Sequence, residues 1–335
     1  MSASQVKTRP AIGLDIGTSR IVAARRTPSG EQFRSELNAF VQIPFSPLTE
    51  KALAREAVPY TRKDSMLVVH GNESERFADL LGLEVRRPMT AGMLNPAESE
   101  STEVISRIVD SLVGPPDSDG ERLFYSVPAP PLDSEGNLAY HEAALRDLLA
   151  GRGYRAQGIN EGLAVVYAEL ESTNYSGIGI SCGGGLCNVC LAYLAVPIVS
   201  FSIPKAGDFI DSSAAAVTGE RVTRIRIEKE TAFHFNGSFA SKVQQALGVY
   251  YDQVILSLVE GMKEAFGRSR NLPRFRQPVP IVLSGGTALP EGFAKRFEEQ
   301  LRSSSFPVPF SEVRLAPDPL HSTAKGALVA ALSEA

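Results

Sequence analysis

Apolar residues along the chain recur with two different periods. Short runs rich in β-branched and small residues occupy 11–16, 21–25, 123–127, 177–181, 186–194, 197–203 and 280–283, and read as buried strands. Elsewhere apolar positions repeat every three or four residues. Val104, Ile105, Ile108, Val109 and Leu112 form one such face, predicting a helix over 98–112. Similar stretches predict helices over 73–81, 141–149, 160–171, 209–219, 239–247, 251–269, 290–301 and 322–332. Pro290 would then stand in the first turn of its helix, a favoured place for proline.

The two halves of the chain echo each other: a strand, a glycine turn, a strand, then helices. That is an α/β plan with an internal duplication. The segment of about 36–90 carries its own strands, 66–69 among them, and reads as a subdomain inserted into the first half. A second insertion is expected over about 214–275. The expected division is a first domain over 8–170 completed by 320–335, and a second over 176–319.

Composition agrees with this and removes some functions. At 335 residues the chain is longer than one core usually serves, so about two domains are expected. The net charge of −4 argues against a general nucleic-acid binder, which needs a lysine and arginine excess. Tryptophan is absent, which argues against a base-stacking surface. The polar start, residues 1–10, is no apolar signal peptide, and a cytoplasmic location is expected. Residues 176–204 carry no charge and are long enough to cross a bilayer, but Gly183, Gly184, Gly185, Asn188 and Pro197 interrupt them. Buried strands joined by turns explain them better. Cys182, Cys187 and Cys190 read as small thiols filling a buried strand. Positions 187 and 190 point to opposite faces and cannot easily share one ion.

The candidate chemistry sits in three turns: Gly17-Thr18-Ser19, Gly183-Gly184-Gly185 and Ser284-Gly285-Gly286-Thr287. Glycine lets backbone N–H groups approach a ligand where a Cβ would collide, and successive N–H groups make an anion cradle. Two such cradles in separate halves suggest two domains gripping one polyphosphate.

In their order these residues resemble the actin–Hsp70–sugar kinase superfamily, and within it the prokaryotic actin homologues of the MreB, FtsA and MamK kind. Gly13–Ser19 and the following Arg20 resemble the first phosphate loop, and Gly183–Gly185 the second. Asn160-Glu161-Gly162-Leu163-Ala164 and Thr323–Ala327 resemble the two connecting helices, and Ile281–Gly286 the adenosine loop. The resemblance covers nearly the whole chain. It implies an actin-like two-domain fold of duplicated RNase H-like domains, each with an inserted subdomain, around a nucleotide cleft.

It also implies ATP or ADP with Mg²⁺ between the turns, assembly with further copies into filaments, and slow hydrolysis. Gly17, Thr18, Ser19, Arg20, Gly183, Gly184 and Gly185 would hold phosphates. Gly285, Gly286 and Thr287 would flank the nucleoside, Asp15 would hold the hydrated metal, and Glu161 would orient the attacking water. A second reading is an FtsA- or PilM-like adaptor that binds ATP and recruits protein partners, and a third is a sugar kinase. The last residues lack the basic amphipathic face of a lipid anchor, so no strong direct membrane binding is expected.

Two departures from the family pattern stand out. Ser181 replaces an aspartate that helps hold metal-bound waters, which implies slowed turnover. Gly162 replaces a proline and is expected to loosen the start of its helix. Arg224, Arg226 and Glu228 lie near the expected adenosine pocket without a fixed alignment.

Overall fold

The computed structural model describes residues 10–132, 138–235, 238–270 and 272–334; the polar start over residues 1–9 lies outside them. The first half runs β1 (Ala11–Ile16), β2 (Arg20–Thr27), β3 (Gly30–Leu37), β4 (Phe40–Pro44), α1 (Pro47–Arg55), β5 (Tyr60–Lys63), β6 (Met66–His70), α2 (Glu73–Leu81), β7 (Met89–Thr90), β8 (Met93–Leu94), α3 (Ser101–Val113), β9 (Arg122–Val127), α4 (Leu138–Ala150), β10 (Arg155–Asn160) and α5 (Glu161–Glu169). The second runs β11 (Gly177–Cys182), β12 (Cys187–Tyr193), β13 (Val196–Ile203), α6 (Gly207–Thr218), α7 (Val222–Thr231), α8 (Lys242–Arg268), β14 (Val279–Ser284), α9 (Phe293–Ser303), β15 (Phe310–Leu315) and α10 (Ser322–Ser333).

The duplication is visible in the sheets. One has the order β10-β9-β1-β2-β3, the other β15-β14-β11-β12-β13. In each, the first strand pairs antiparallel with the second and parallel with the fourth. The second and third strands are antiparallel, and the fourth and fifth parallel. The inserted segment of the first half carries a three-stranded sheet, β4-β6-β5, with its own small core around Val41, Leu53, Leu67 and Val69. The stretch that could pass for a membrane span is β11, β12 and β13, and no described helix is long and apolar enough to cross a membrane.

The two connecting helices exchange sheets. A Cβ on Gly162 of α5 would lie 2.7 Å from the backbone nitrogen of Cys190 on β12, and one on Gly179 of β11 would lie 2.3 Å from the Gly162 carbonyl. Helix α5, which closes the first half, thus packs on the second sheet. Helix α10, which closes the second half, packs on the first: a Cβ on Gly13 of β1 would lie 2.1 Å from the Ala324 carbonyl. Between the sheets, α5 and α10 share one core with Val22 and Phe124 on one side and Cys190 and Val282 on the other. Gly162 therefore does not loosen its helix. It admits α5 to the sheet at a distance that no Cβ allows.

The three cysteines are free and buried. Cys187 faces the second-half core and Cys190 the shared core, the opposite faces that a strand imposes.

Three expected helices need correction. The stretches 239–247 and 251–269 form one helix, α8, because Gly248 is a notch rather than a break: a Cβ there would lie 2.8 Å from the Phe239 ring. The helix expected from Pro290 starts only at Phe293. Gly292, at φ +90°, sets a left-handed residue at its N-cap, so Pro290 belongs to the preceding turn.

Candidate nucleotide cleft

The twelve residues expected to hold phosphate, nucleoside, metal or water, from Asp15 to Thr287, all line one cavity of about 540 Å³ between the two sheets. The first turn closes the β1–β2 hairpin, with Gly17 N–H donating to the Arg20 carbonyl at 2.9 Å and Asn38 Nδ2 donating to the Gly17 carbonyl at 2.9 Å. The second closes β11–β12, with Gly183 N–H donating to the Leu186 carbonyl at 2.9 Å. Thr287 Oγ1 donates to the Gly183 carbonyl at 2.7 Å and ties the third turn to the second. The first two turns touch: a Cβ on Gly184 would lie 2.3 Å from Ser19 Oγ, and one on Gly185 2.6 Å from Thr18 Oγ1. Gly285, at φ +88°, lies where a Cβ would strike the Cys182 carbonyl at 2.2 Å.

Asp15 and Glu161 face the same space. Ser126 Oγ donates to Asp15 Oδ1 at 2.7 Å while accepting the Ile16 N–H at 3.0 Å. Glu161 Oε2 accepts from Ser181 Oγ at 3.1 Å and from Asn188 Nδ2 at 2.9 Å. Asn160 caps α5 through its Oδ1, which accepts the Leu163 N–H, and so fixes Glu161 as the first helical residue. Burial pushes Asp15 up to about 6 against its Ser126 hydrogen bond. Burial, and then the nearby Asp15 charge, push Glu161 up to about 8 against the bonds from Ser181 and Asn188.

A carboxyl whose folded pKa is raised binds its proton more tightly folded than unfolded. Its favourable contribution is present below the unfolded value and is lost as pH rises through the folded one. The nucleotide-free protein is therefore expected to lose melting temperature between about pH 5 and pH 8. Glu161→Gln should flatten the upper part of that decline. An unchanged pH profile in that variant would remove Glu161 as its cause.

The far end of the cavity was only partly legible in the sequence. Asp211, Arg226, Lys229, Glu230, Phe233, His234 and Tyr251 line it. Lys229 and Asp211 form a buried ion pair at 2.8 Å, and the buried Tyr251 hydroxyl has no hydrogen-bond partner among the described residues. Of the residues suspected there, Arg226 lines the cavity, whereas Arg224 pairs with Glu220 at the surface and Glu228 accepts from Gln244 Nε2. Helical spacing along α7, with Arg226 and Lys229 three apart, was the available signal. For Asp208, Ser126 and Asn188 no local signal named the partner, because they reach the site from elements remote in sequence.

Two ion pairs link the inserted segment of the first half to cavity-lining residues of the second half. Glu75 on α2 pairs with Arg226, and Arg87 pairs with Asp208 at 2.8 Å. Gly92 N–H donates to Thr18 Oγ1 at 3.1 Å, which brings the exit of that segment onto the first turn.

The family model named Volactin matches residues 11–331. The chain belongs to the volactin family. No curated protein matches it. Among solved structures, the MamK double helical filament is similar over 98% of this chain and 99% of its own, at 19% identity and a TM-score of 0.73. A non-polymerising MamK mutant bound to AMPPNP is similar over 97% and 99%, at 20% identity and a TM-score of 0.60. The ethanolamine utilization protein EutJ from Carboxydothermus hydrogenoformans is similar over 97% and 92%, at 15% identity and a TM-score of 0.58. The fold of this volactin-family chain is thus the actin-like two-domain fold.

Proposed function

We propose that this chain binds ATP or ADP with Mg²⁺ in the cleft, hydrolyses ATP slowly, and assembles head to tail into a cytoplasmic, cytoskeletal filament. The observation that carries the reading is the convergence of both glycine turns and both carboxylates on one cavity of about 540 Å³, a size that suits a nucleotide. The similarity to a MamK mutant bound to AMPPNP supports the ligand, and that to a MamK filament supports assembly.

The residues fit the absent groups. Glycine at 184 and 185 lets the first two turns close on each other, where a Cβ would strike Ser19 Oγ at 2.3 Å and Thr18 Oγ1 at 2.6 Å, so that one polyphosphate could reach both. Asp15 is a buried carboxyl facing Glu161, and burial disfavours its charge, which a hydrated hard cation held there would compensate. Bound Mg²⁺ would supply charge neutralisation at the phosphates.

The other roles fall to the chain itself. Gly17–Ser19 and Gly183–Gly185 position the phosphates from two sides, and Thr18 and Ser19 add hydroxyl donors. Glu161, oriented by Ser181 and Asn188, orients the water and holds its proton. The pairs Glu75–Arg226 and Arg87–Asp208 tie the inserted segment of the first half to the second half beside the cleft. Contacts of the head-to-tail kind that do not close into a ring propagate as a filament.

Electron microscopy and sedimentation of the full chain with Mg–ATP, with ADP and without nucleotide test assembly. Filaments with ATP are expected. A monomer under every condition of protein, salt and nucleotide would replace assembly with the adaptor reading. Asp15→Ala should weaken Mg–ATP binding or abolish turnover. Unchanged affinity together with unchanged turnover would remove Asp15 from the site.

A further inference from the structure

Asn188, fully buried in β12 of the second half, joins two separate elements of the first half. Its Nδ2 donates to Glu161 Oε2 at 2.9 Å, and its Oδ1 accepts the Ala129 N–H at 2.8 Å. Ala129 belongs to the segment that leaves β9 of the first sheet and lies against β13 of the second. Ser202, the register partner of Asn188 on β13, clasps the same segment. Ser202 Oγ donates to the Ala129 carbonyl at 2.9 Å, Ser202 N–H donates to the Pro130 carbonyl at 2.8 Å, and Leu132 N–H donates to the Ser202 carbonyl at 3.1 Å.

A primary amide has a donor and an acceptor at one end of a short side chain, so one residue can serve both partners. Hydrogen bonds weaken steeply once stretched or bent. A shift of the first-half segment along β13 by about 1 Å would take Ala129 from the amide oxygen or turn the amide nitrogen away from Glu161.

We propose that Asn188 is a positioning residue that holds the Glu161 carboxylate in its working orientation only while the two halves are in register, so that turnover follows domain closure. The proposal rests on the reading of Glu161 as the water-orienting group. Ser202 acts one step further out, by keeping Ala129 in place.

The test uses the full chain with Asn188→Leu and Ser202→Ala. Asn188→Leu should lower kcat roughly ten- to a hundredfold, the size of one lost charge-assisted hydrogen bond, with KM for Mg–ATP changed less than about threefold. Ser202→Ala touches no cleft residue, yet should lower kcat several-fold. In nucleotide-free protein both variants should speed hydrogen exchange at the Ala129 amide. The denaturation cycle of Asn188→Leu with Glu161→Gln should be non-additive.

An unchanged kcat in Asn188→Leu overturns the proposal, and so does an unchanged kcat in Ser202→Ala with faster Ala129 exchange. Should Asn188→Leu fail to fold, Ser202→Ala decides. Should wild-type protein bind no nucleotide, the proposed function fails, and with it the catalytic role of Asn188. An additive cycle or unaltered Ala129 exchange would additionally overturn the structural link itself.

Discussion

Gly326→Ala is expected to cost the fold more than any single substitution in the cleft. Gly326 lies where α10 crosses α5, the contact that joins the two halves. A Cβ there would sit 1.7 Å from the Ala164 carbonyl oxygen and 2.4 Å from its carbon. Both are backbone atoms, so no flexible side chain can yield. The helices would have to part, and neither is free to move: α10 is pressed on β1 at Gly13, and α5 on β12 at Gly162. Overpacking a core costs about 1–3 kcal/mol when side chains can adjust, and a backbone collision belongs at or above the top of that range. With total stabilities of about 5–15 kcal/mol, that loss lowers the melting temperature by several degrees and reduces soluble yield. Gly267→Ala is the matched control. It too lies in a helix, α8, but a Cβ there meets nothing within 4 Å, so the change should be neutral or stabilising by about 0.5–1 kcal/mol. Equal urea midpoints for the two variants would refute the crossing as the reason for glycine.

Much of the architecture was legible because buried strands and amphipathic helices write their periods plainly. The uncharged run before and after Gly183–Gly185 resolves into β11 and β12, buried almost throughout, and β13, buried over its last three residues. The strands that pattern did not disclose are polar or half-exposed. β3 carries Glu31, Arg34 and Glu36, and β15 carries Glu312 and Arg314, so neither shows an apolar run. α8 was split at Gly248 because a glycine inside a helix reads as a break unless its neighbour in space is known. The actin-like fold was legible from the order of the turns. The volactin family itself was not.

In the cleft, the residues on the turns were legible because a glycine turn after a buried strand is a local signal. Their supports were not. Ser126 reaches Asp15 from 111 positions away, and Asn188 reaches Glu161 across the two halves. Polar side chains on otherwise apolar strands, Ser126 in β9 and Asn188 in β12, were the trace they left. A lone polar residue on a buried strand marks a partner without saying which one.

Ser181→Asp is expected to speed turnover with Mg–ATP by roughly tenfold or more, while destabilising the protein without metal. Ser181 Oγ stands 3.1 Å from Glu161 Oε2, and Asp15 already opposes the Glu161 charge. A third carboxylate in that space is compensated when a divalent cation is held there and uncompensated otherwise. The variant should therefore melt lower than wild type in chelator at pH 8, and recover with Mg²⁺. Phosphoryl transfer depends mainly on positioning and charge stabilisation, so a better fixed metal and water should lower the barrier. Each 1.36 kcal/mol regained is about tenfold in rate, and the missing charge-assisted contact is worth about 1.5–3 kcal/mol. Glu161→Ala removes the group proposed to orient the water and should reduce turnover by about a hundredfold or more. Steady-state phosphate release by wild type and both variants checks this, with ATP affinity measured separately. If Ser181→Asp leaves turnover unchanged or lowers it while fold and affinity are intact, Ser181 does not stand in for a metal-water carboxylate. Its role is then confined to holding Glu161.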